Sequence, residues 1–253
     1  MAIQNRIKIK QVLSRIPANT VVTAKQLSDM GVNHVLASQY EKQGWLKRVA
    51  TGAYTRLQED APLDGALYAL QQGEMPSVHV GGSSALSRYY GKLHFVRTNV
   101  KTQLFAPLGK RLPAWFNRAY GSETVIGYTN FLPDTLGLET QNTDNFMVQV
   151  SSMERAVLEM LYLTPSRITV AEAYAITETV LTVRIQQMQK LLEECRSIKV
   201  KRLLLCFAEN IGHQWFDFLD QSRIDLGSGV RKIGTSGILY PKYNLVIPKL
   251  GEV

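Results

Sequence analysis

Cysteine is nearly absent: Cys195 and Cys206 are the only two in 253 residues. They stand eleven apart with no Cys-x-x-Cys spacing, which excludes a disulfide framework and a thiolate zinc knuckle and predicts two free thiols. Long apolar runs are missing too. The densest, Leu203 to Ala208, stops after six residues, against the ~18 that a membrane-spanning helix needs, so no membrane association is expected. The opening segment, MAIQNRIKIKQVLSR, breaks its apolar residues with Arg6, Lys8, Lys10 and Arg15, which excludes a secretory signal and predicts a cytoplasmic location. Histidine is sparse, and His34, His79, His94 and His213 show no His-x-x-x-His spacing, so neither a metal nor another cofactor is expected. Also missing are a Gly-x-x-x-x-Gly-Lys-Ser/Thr phosphate loop, a Gly-x-Ser-x-Gly elbow and an Asp with a downstream Glu-x-Lys of the nuclease kind.

What remains is an ordinary globular composition, 45% hydrophobic and 20% charged, long enough for a small module and a larger one. The net charge of +8 is concentrated at one end. Residues 1–58 hold nine lysines and arginines against only Asp29 and Glu41, so +7 lies in that stretch and +1 in all that follows. Such a block is expected where a chain meets phosphate, the alternative being a solvated basic face.

Apolar residues Ile3, Ile7, Ile9, Val12, Leu13 and Ile16 recur at mostly helical spacing before Pro17, predicting a first helix over 3–15. Thr23 and Gln26 form a capping box opening a second helix that buries Leu27 and Met30. Gly31 then permits a left-handed end and Asn33 caps a third helix over about 34–43, the spacing of a helix-turn-helix. That third helix is the candidate recognition helix. Val35, Leu36 and Tyr40 are expected inward, and His34, Ala37, Ser38 and Glu41 outward, with Gln39 and Lys42 at the margins. Its small polar surface suits a major groove, although Glu41 could accept from a cytosine amine or repel a phosphate. WLKRVATGAYTRL alternates about Thr51-Gly52 and reads as a two-stranded wing whose Lys47, Arg48 and Arg56 reach phosphates or the minor groove. A winged helix that binds only protein is the alternative.

The larger remainder, 59–253, reads as mixed α+β with a helical C-terminal portion. A helix is predicted in APLDGALYALQQG, with no Pro- or Ser-rich linker before it, and a strand or turn followed by a helix in VHVGGSSALSRYYG. KTQLFAP, ETVIGYTNF and FMVQVSS are β-type runs. Ser151 with Glu154 and Thr169 with Glu172 read as capping boxes, two further helices fall near 182–194 and 198–211, and the end closes as a hairpin. Gly81-Gly82-Ser83-Ser84 reads as a structural start to its helix, and Gly227-Ser228-Gly229 as a hairpin turn more than an anion loop. Glu154 and Arg155 are the most suggestive polar neighbours, with a helix cap plus an ion pair as the plain reading.

The order of these blocks resembles the AbiEi-like antitoxins of type IV abortive-infection toxin–antitoxin systems. The likeness rests on the winged helix with Gly52, Ala53 and Tyr54 in its wing, SALSRYYG at 84–91, SMERAVLEML at 152–161, and IDLGSGVRK with YNLVIP near the C-terminus. The resemblance implies a bacterial, non-enzymatic repressor whose winged helix binds inverted repeats in double-stranded promoter DNA. It further implies that the C-terminal domain counteracts a nucleotidyltransferase-like toxin without a stable complex. The family's DNA contacts carry over to Thr23, Lys25, Gln26, Asn33, His34, Ser38, Gln39, Lys42, Lys47, Arg48 and Arg56. The competing reading is an enzyme that processes nucleic acid or nucleotides, with the winged helix as its targeting module.

Overall fold

The computed structural model describes residues 2–90, 101–234 and 236–251, with the side chains of the first helix described from Ile9 onward. The expected roles of Ile3, Arg6, Ile7, Lys8, Gly91 and His94 therefore lie outside the described side chains and residues. Two units divide the chain: Met1–His79 with Gly109–Val125 and Thr140–Gln149, and Val80–Leu108 with Ile126–Glu139 and Val150–Val253.

In the first unit the chain runs α1 (Ala2–Arg15), β1 (Val22–Thr23), α2 (Ala24–Asp29), α3 (His34–Lys42), β2 (Leu46–Ala50) and β3 (Ala53–Arg56). Each boundary has a local cause. Thr23 Oγ1 accepts from the Gln26 amide and Gln26 Oε1 accepts from the Thr23 amide, the reciprocal box that the spacing predicts. Gly31 sits at φ +78°, and Asn33 Oδ1 accepts from the Leu36 amide at 2.9 Å to start α3. Gly52, at φ +83°, turns β2 into β3. β1 is a strand the sequence does not announce; it pairs with β3, giving a three-stranded antiparallel sheet in the order β1-β3-β2.

The core beneath these elements joins Ile9, Val12 and Ile16 of α1 to Leu27, Val32, Ala37, Tyr40, Leu46 and Tyr54. Burying such side chains at roughly 25 cal/mol per Å² of apolar surface holds the helices against the sheet. One inward assignment on α3 is reversed: Ala37 is 2% exposed and Val35 52%. At 100° per residue the buried stripe runs through Leu36, Ala37 and Tyr40, and Val35 falls opposite it whatever its apolarity.

Beyond the wing come α4 (Leu63–Gln71), β4 (His79–Val80), α5 (Gly82–Tyr90), β5 (Thr102–Pro107), α6 (Ala114–Tyr120), β6 (Thr124–Thr129), β7 (Leu138–Asn142) and β8 (Met147–Ser151). Strands β4 to β8 form one sheet in the order β6-β5-β4-β8-β7, with Val80 paired in parallel with Val150. Within the first unit α4 approaches the winged helix so closely that a Cβ on Gly65 would lie 2.0 Å from the Asn19 carbonyl oxygen. Only glycine fits there.

The second unit adds α7 (Met153–Leu163), α8 (Val170–Glu178), α9 (Ile185–Glu194) and α10 (Ile198–Ile211), then β9 (Arg231–Lys232), β10 (Ile238–Tyr240) and β11 (Leu245–Ile247). Its apolar core draws on Val157, Leu158 and Leu161 of α7, Met188 and Leu191 of α9, and Leu203 to Phe207 of α10. Thr169 caps α8 as expected, but α7 is capped by Ser152, which accepts from the Arg155 amide, instead of by Ser151. The Ser151 hydroxyl instead donates to the buried Glu159 carboxylate at 2.6 Å.

That carboxylate organises the start of α5. Glu159 accepts from the Gly82 amide at 3.1 Å, and Gln103 Oε1 accepts from the Ser83 amide at 2.9 Å, so two orphan donors of this helix are met from within the protein. Arg155 completes the cluster, donating from Nε to Glu159 at 2.7 Å and from Nη1 to the Pro133 and Leu136 carbonyls. Glu154 does not pair with its neighbour Arg155; it binds the guanidinium and the backbone amide of Arg184. Adjacent helical residues point about 100° apart, so the two charges serve different partners.

The C-terminal hairpin joins β10 to β11, and its turn is Pro241–Tyr243 with Asn244 in the left-handed region. Gly227-Ser228-Gly229 is therefore not the hairpin turn. The buried Arg202 guanidinium donates to the carbonyls of Leu226, Gly229 and Asn244, fixing the glycine-rich loop that leads into β9. Cys195 and Cys206 are both buried free thiols, and burial raises both, Cys206 to about 12.

Candidate nucleic-acid interface

The residues expected to meet DNA separate into two groups once their partners are known. Lys25, Asn33, His34, Gln39, Lys42 and Lys47 are exposed, and Ser38 is half-buried on the same helix as His34 and Gln39. α3 presents His34, Val35, Ser38, Gln39 and Lys42 away from its core. Hydrogen-bonding groups therefore accompany an apolar Val35 that suits a thymine methyl group. Asn33 spends its oxygen on the α3 cap. Lys47 lies 3.6 Å from Asp60, whose side chain is 98% exposed, a contact that water screens nearly to nothing.

The second group faces inward or sideways. Thr23 and Gln26 hold each other in the cap of α2, and Gln26 Nε2 also donates to the Ala69 carbonyl at 3.1 Å. Arg56 closes the end of α1: Nη2 donates to the Leu13 carbonyl at 2.6 Å and to the Ile16 carbonyl, while Nη1 reaches Glu59 at 3.2 Å. Its guanidinium thus caps the end of α1, with these donors directed to acceptors within the protein.

Arg48 explains the acidic residue on α3. Its Nε and Nη2 form a two-pronged contact with the Glu41 carboxylate, at 2.6 Å for the shortest bond, and its guanidinium lies 5.2 Å from the Tyr54 ring centre. The hydrogen bond from Arg48 holds the Glu41 carboxyl below its ordinary range. The wing and α3 are thereby joined by a neutralised pair, and Glu41 is not left as a bare charge.

Several charged and polar groups elsewhere among the described residues find partners within the protein. In the second unit an open depression of about 760 Å³ is lined by Leu136, Leu138, Glu139, Arg184, Gln187 and Lys190. Its Arg184 is flanked by Glu139 and Glu154, the latter at 2.8 Å, and two carboxylates offset the guanidinium charge. Burial alone would raise Glu154, yet the side-chain and backbone hydrogen bonds from Arg184 hold it below its ordinary range. Among the described residues no group of three or more His, Cys, Asp or Glu side chains is placed to hold a metal ion. His213 bonds the Thr177 carbonyl and stacks on Trp215, and His79 bonds the Ser77 carbonyl. No helix among the described residues is long and apolar enough to cross a membrane.

Comparison with known families places the chain. A family model described as "Transcriptional regulator, AbiEi antitoxin N-terminal domain" matches residues 5–98, and one described as "Transcriptional regulator, AbiEi antitoxin, Type IV TA system" matches residues 99–248. The chain belongs to the AbiEi antitoxin family. Its members are transcriptional regulators and antitoxins of type IV toxin–antitoxin systems, the class that the ordered blocks of the sequence resemble. No curated protein matches this AbiEi chain. The crystal structure of the Rv2827c protein from Mycobacterium tuberculosis is similar in fold, with a TM-score of 0.60 at 15% identity over 94% of this chain and 89% of that one.

Proposed function

We propose that this AbiEi-family chain represses its own operon by binding inverted repeats in the promoter through residues 1–58. We further propose that residues 59–253 counteract a nucleotidyltransferase-like toxin without a stable complex and without catalysing a reaction. The observation that carries the DNA reading is the exposed polar face of α3, bordered by Lys25, Lys42 and Lys47, in the segment that holds +7 of the net charge. Helix-turn-helix modules read base edges from such a face and position themselves through lysines on phosphate. Inverted repeats require two winged helices about 34–36 Å apart, or a multiple of that, on one side of the duplex.

A reporter fused to the chain's own promoter tests this in cells. Supplying the protein in trans is expected to lower reporter output, and Gln39→Ala with Lys42→Ala is expected to restore it while still rescuing cells from the co-expressed toxin. Undiminished output with soluble wild-type protein present would contradict repression. Failure of the wild type to rescue would contradict the antitoxin role.

A further inference from the structure

Helix α6 lies far from the winged helix in sequence but belongs to the same compact unit. It packs on β2 of the wing, and its Arg118 Nη1 donates to Thr51 Oγ1 in the wing turn at 2.9 Å. The wing turn is in turn bonded to the start of α2, where the Ala24 amide donates to the Gly52 carbonyl at 2.8 Å. At its other end α6 borders α2 again: Pro113 and Trp115 share a cleft of about 230 Å³ with Thr23, Lys25 and Gln26. The helix thus runs alongside both elements that flank a recognition helix.

α6 is also rigidly held. Trp115, Phe116 and Tyr120 are buried, with Phe116 and Tyr120 ring centres 5.3 Å apart, and the Tyr120 hydroxyl donates to the Ala61 carbonyl at 2.7 Å. Against this fixed base, Lys110, Arg111 and Arg118 are exposed, and among the described residues none of the three has a carboxylate partner. Arg118 differs from Arg48 and Arg56 in this respect. Its one bond is to a neutral hydroxyl, which orients the fork and leaves its charge and most of its donors available.

We propose that α6 and the loop before it form a third DNA-contacting element, in which Arg118, with Lys110 and Arg111, binds backbone phosphate beside the wing turn. The interface then extends past residue 58 into the segment matched by the second family model. This inference rests on the DNA-binding reading above. Being phosphate contacts, these residues add affinity and salt dependence without sequence preference.

Salt titrations of wild-type, Arg118→Ala, Arg118→Lys, Thr51→Ala and Lys110→Ala/Arg111→Ala proteins on the promoter duplex and on a scrambled duplex test it. Arg118→Ala is expected to flatten the slope of log K against log salt by about 0.9, so that the wild type loses roughly threefold more affinity between ~50 and ~200 mM salt. Lys110→Ala/Arg111→Ala should flatten it by up to about 1.8, with the preference for the promoter unchanged in both. Arg118→Lys should keep the wild-type slope, and so should Thr51→Ala, which removes the hydrogen bond but not the charge. An unchanged slope for Arg118→Ala, or a Thr51→Ala variant that reproduces its loss, would overturn the proposal. Wild-type protein that binds neither duplex would instead overturn the DNA reading itself.

Discussion

Arg155→Ala is expected to lower the free energy of unfolding by about 3–5 kcal/mol, a large share of the roughly 5–15 kcal/mol that keeps a domain folded. Glu159 is 0% exposed, and the Arg155 guanidinium hydrogen-bonds it at 2.7 Å. Removing the guanidinium takes a charged donor from a carboxylate in the core of the second unit, to which the Ser151 hydroxyl and the Gly82 amide also donate. It also strands the Pro133 and Leu136 carbonyls that the same guanidinium satisfies. Space is equally restricted, since a Cβ on Gly81 would stand 2.0 Å from Glu159 Oε2 and 2.6 Å from Phe105. Urea unfolding measures the loss as a lower midpoint at unchanged slope. A cost below about 1 kcal/mol would mean that water or another group reaches Glu159.

The second large effect concerns DNA. Lys25→Gln, Lys42→Gln and Lys47→Gln together are expected to flatten the salt slope by about 2.7, on the basis of one phosphate per lysine. Gln39→Ala should leave the slope alone and cost about 1–3 kcal/mol of discrimination at the base it reads. Arg56→Ala supplies the contrast. Its guanidinium caps α1, so the variant should lose roughly 1–3 kcal/mol of stability and keep the wild-type slope. If Arg56→Ala flattened the slope while the three lysine changes did not, the assignment of these cations would be reversed.

The winged helix was legible wherever a local rule had one solution. Thr23 with Gln26, Gly31, Asn33 and Gly52 each fix a backbone event within three or four residues, and each occurs where the spacing puts it. Apolarity alone misplaced Val35, because helical geometry and not side-chain character decides which residues meet the core. Ser151 and Ser152 are adjacent hydroxyls, and only the tertiary position of Glu159 selects which one caps α7. Partners distant in sequence were invisible. A lysine or arginine looks like surface until its acceptors are known, so nothing local separates Arg56 on the carbonyls of α1 from Lys42 in solvent. Arg118 is the converse case, sixty-seven residues from the wing turn that it bonds. The helix bearing it has only seven residues, and the polar β7, with its sequence LETQN, also lacks a clear period.

The measurement that bears most directly on the role of this AbiEi-family chain is a binding titration of the purified wild-type protein. It would use the chain's own promoter and a scrambled duplex, each at two salt concentrations. Tight binding to the promoter, at least about 10³-fold above the scrambled control and weakening steeply with salt, is the expected result. Equal affinity for the two duplexes, or affinity indifferent to salt, would contradict operator recognition by the winged helix.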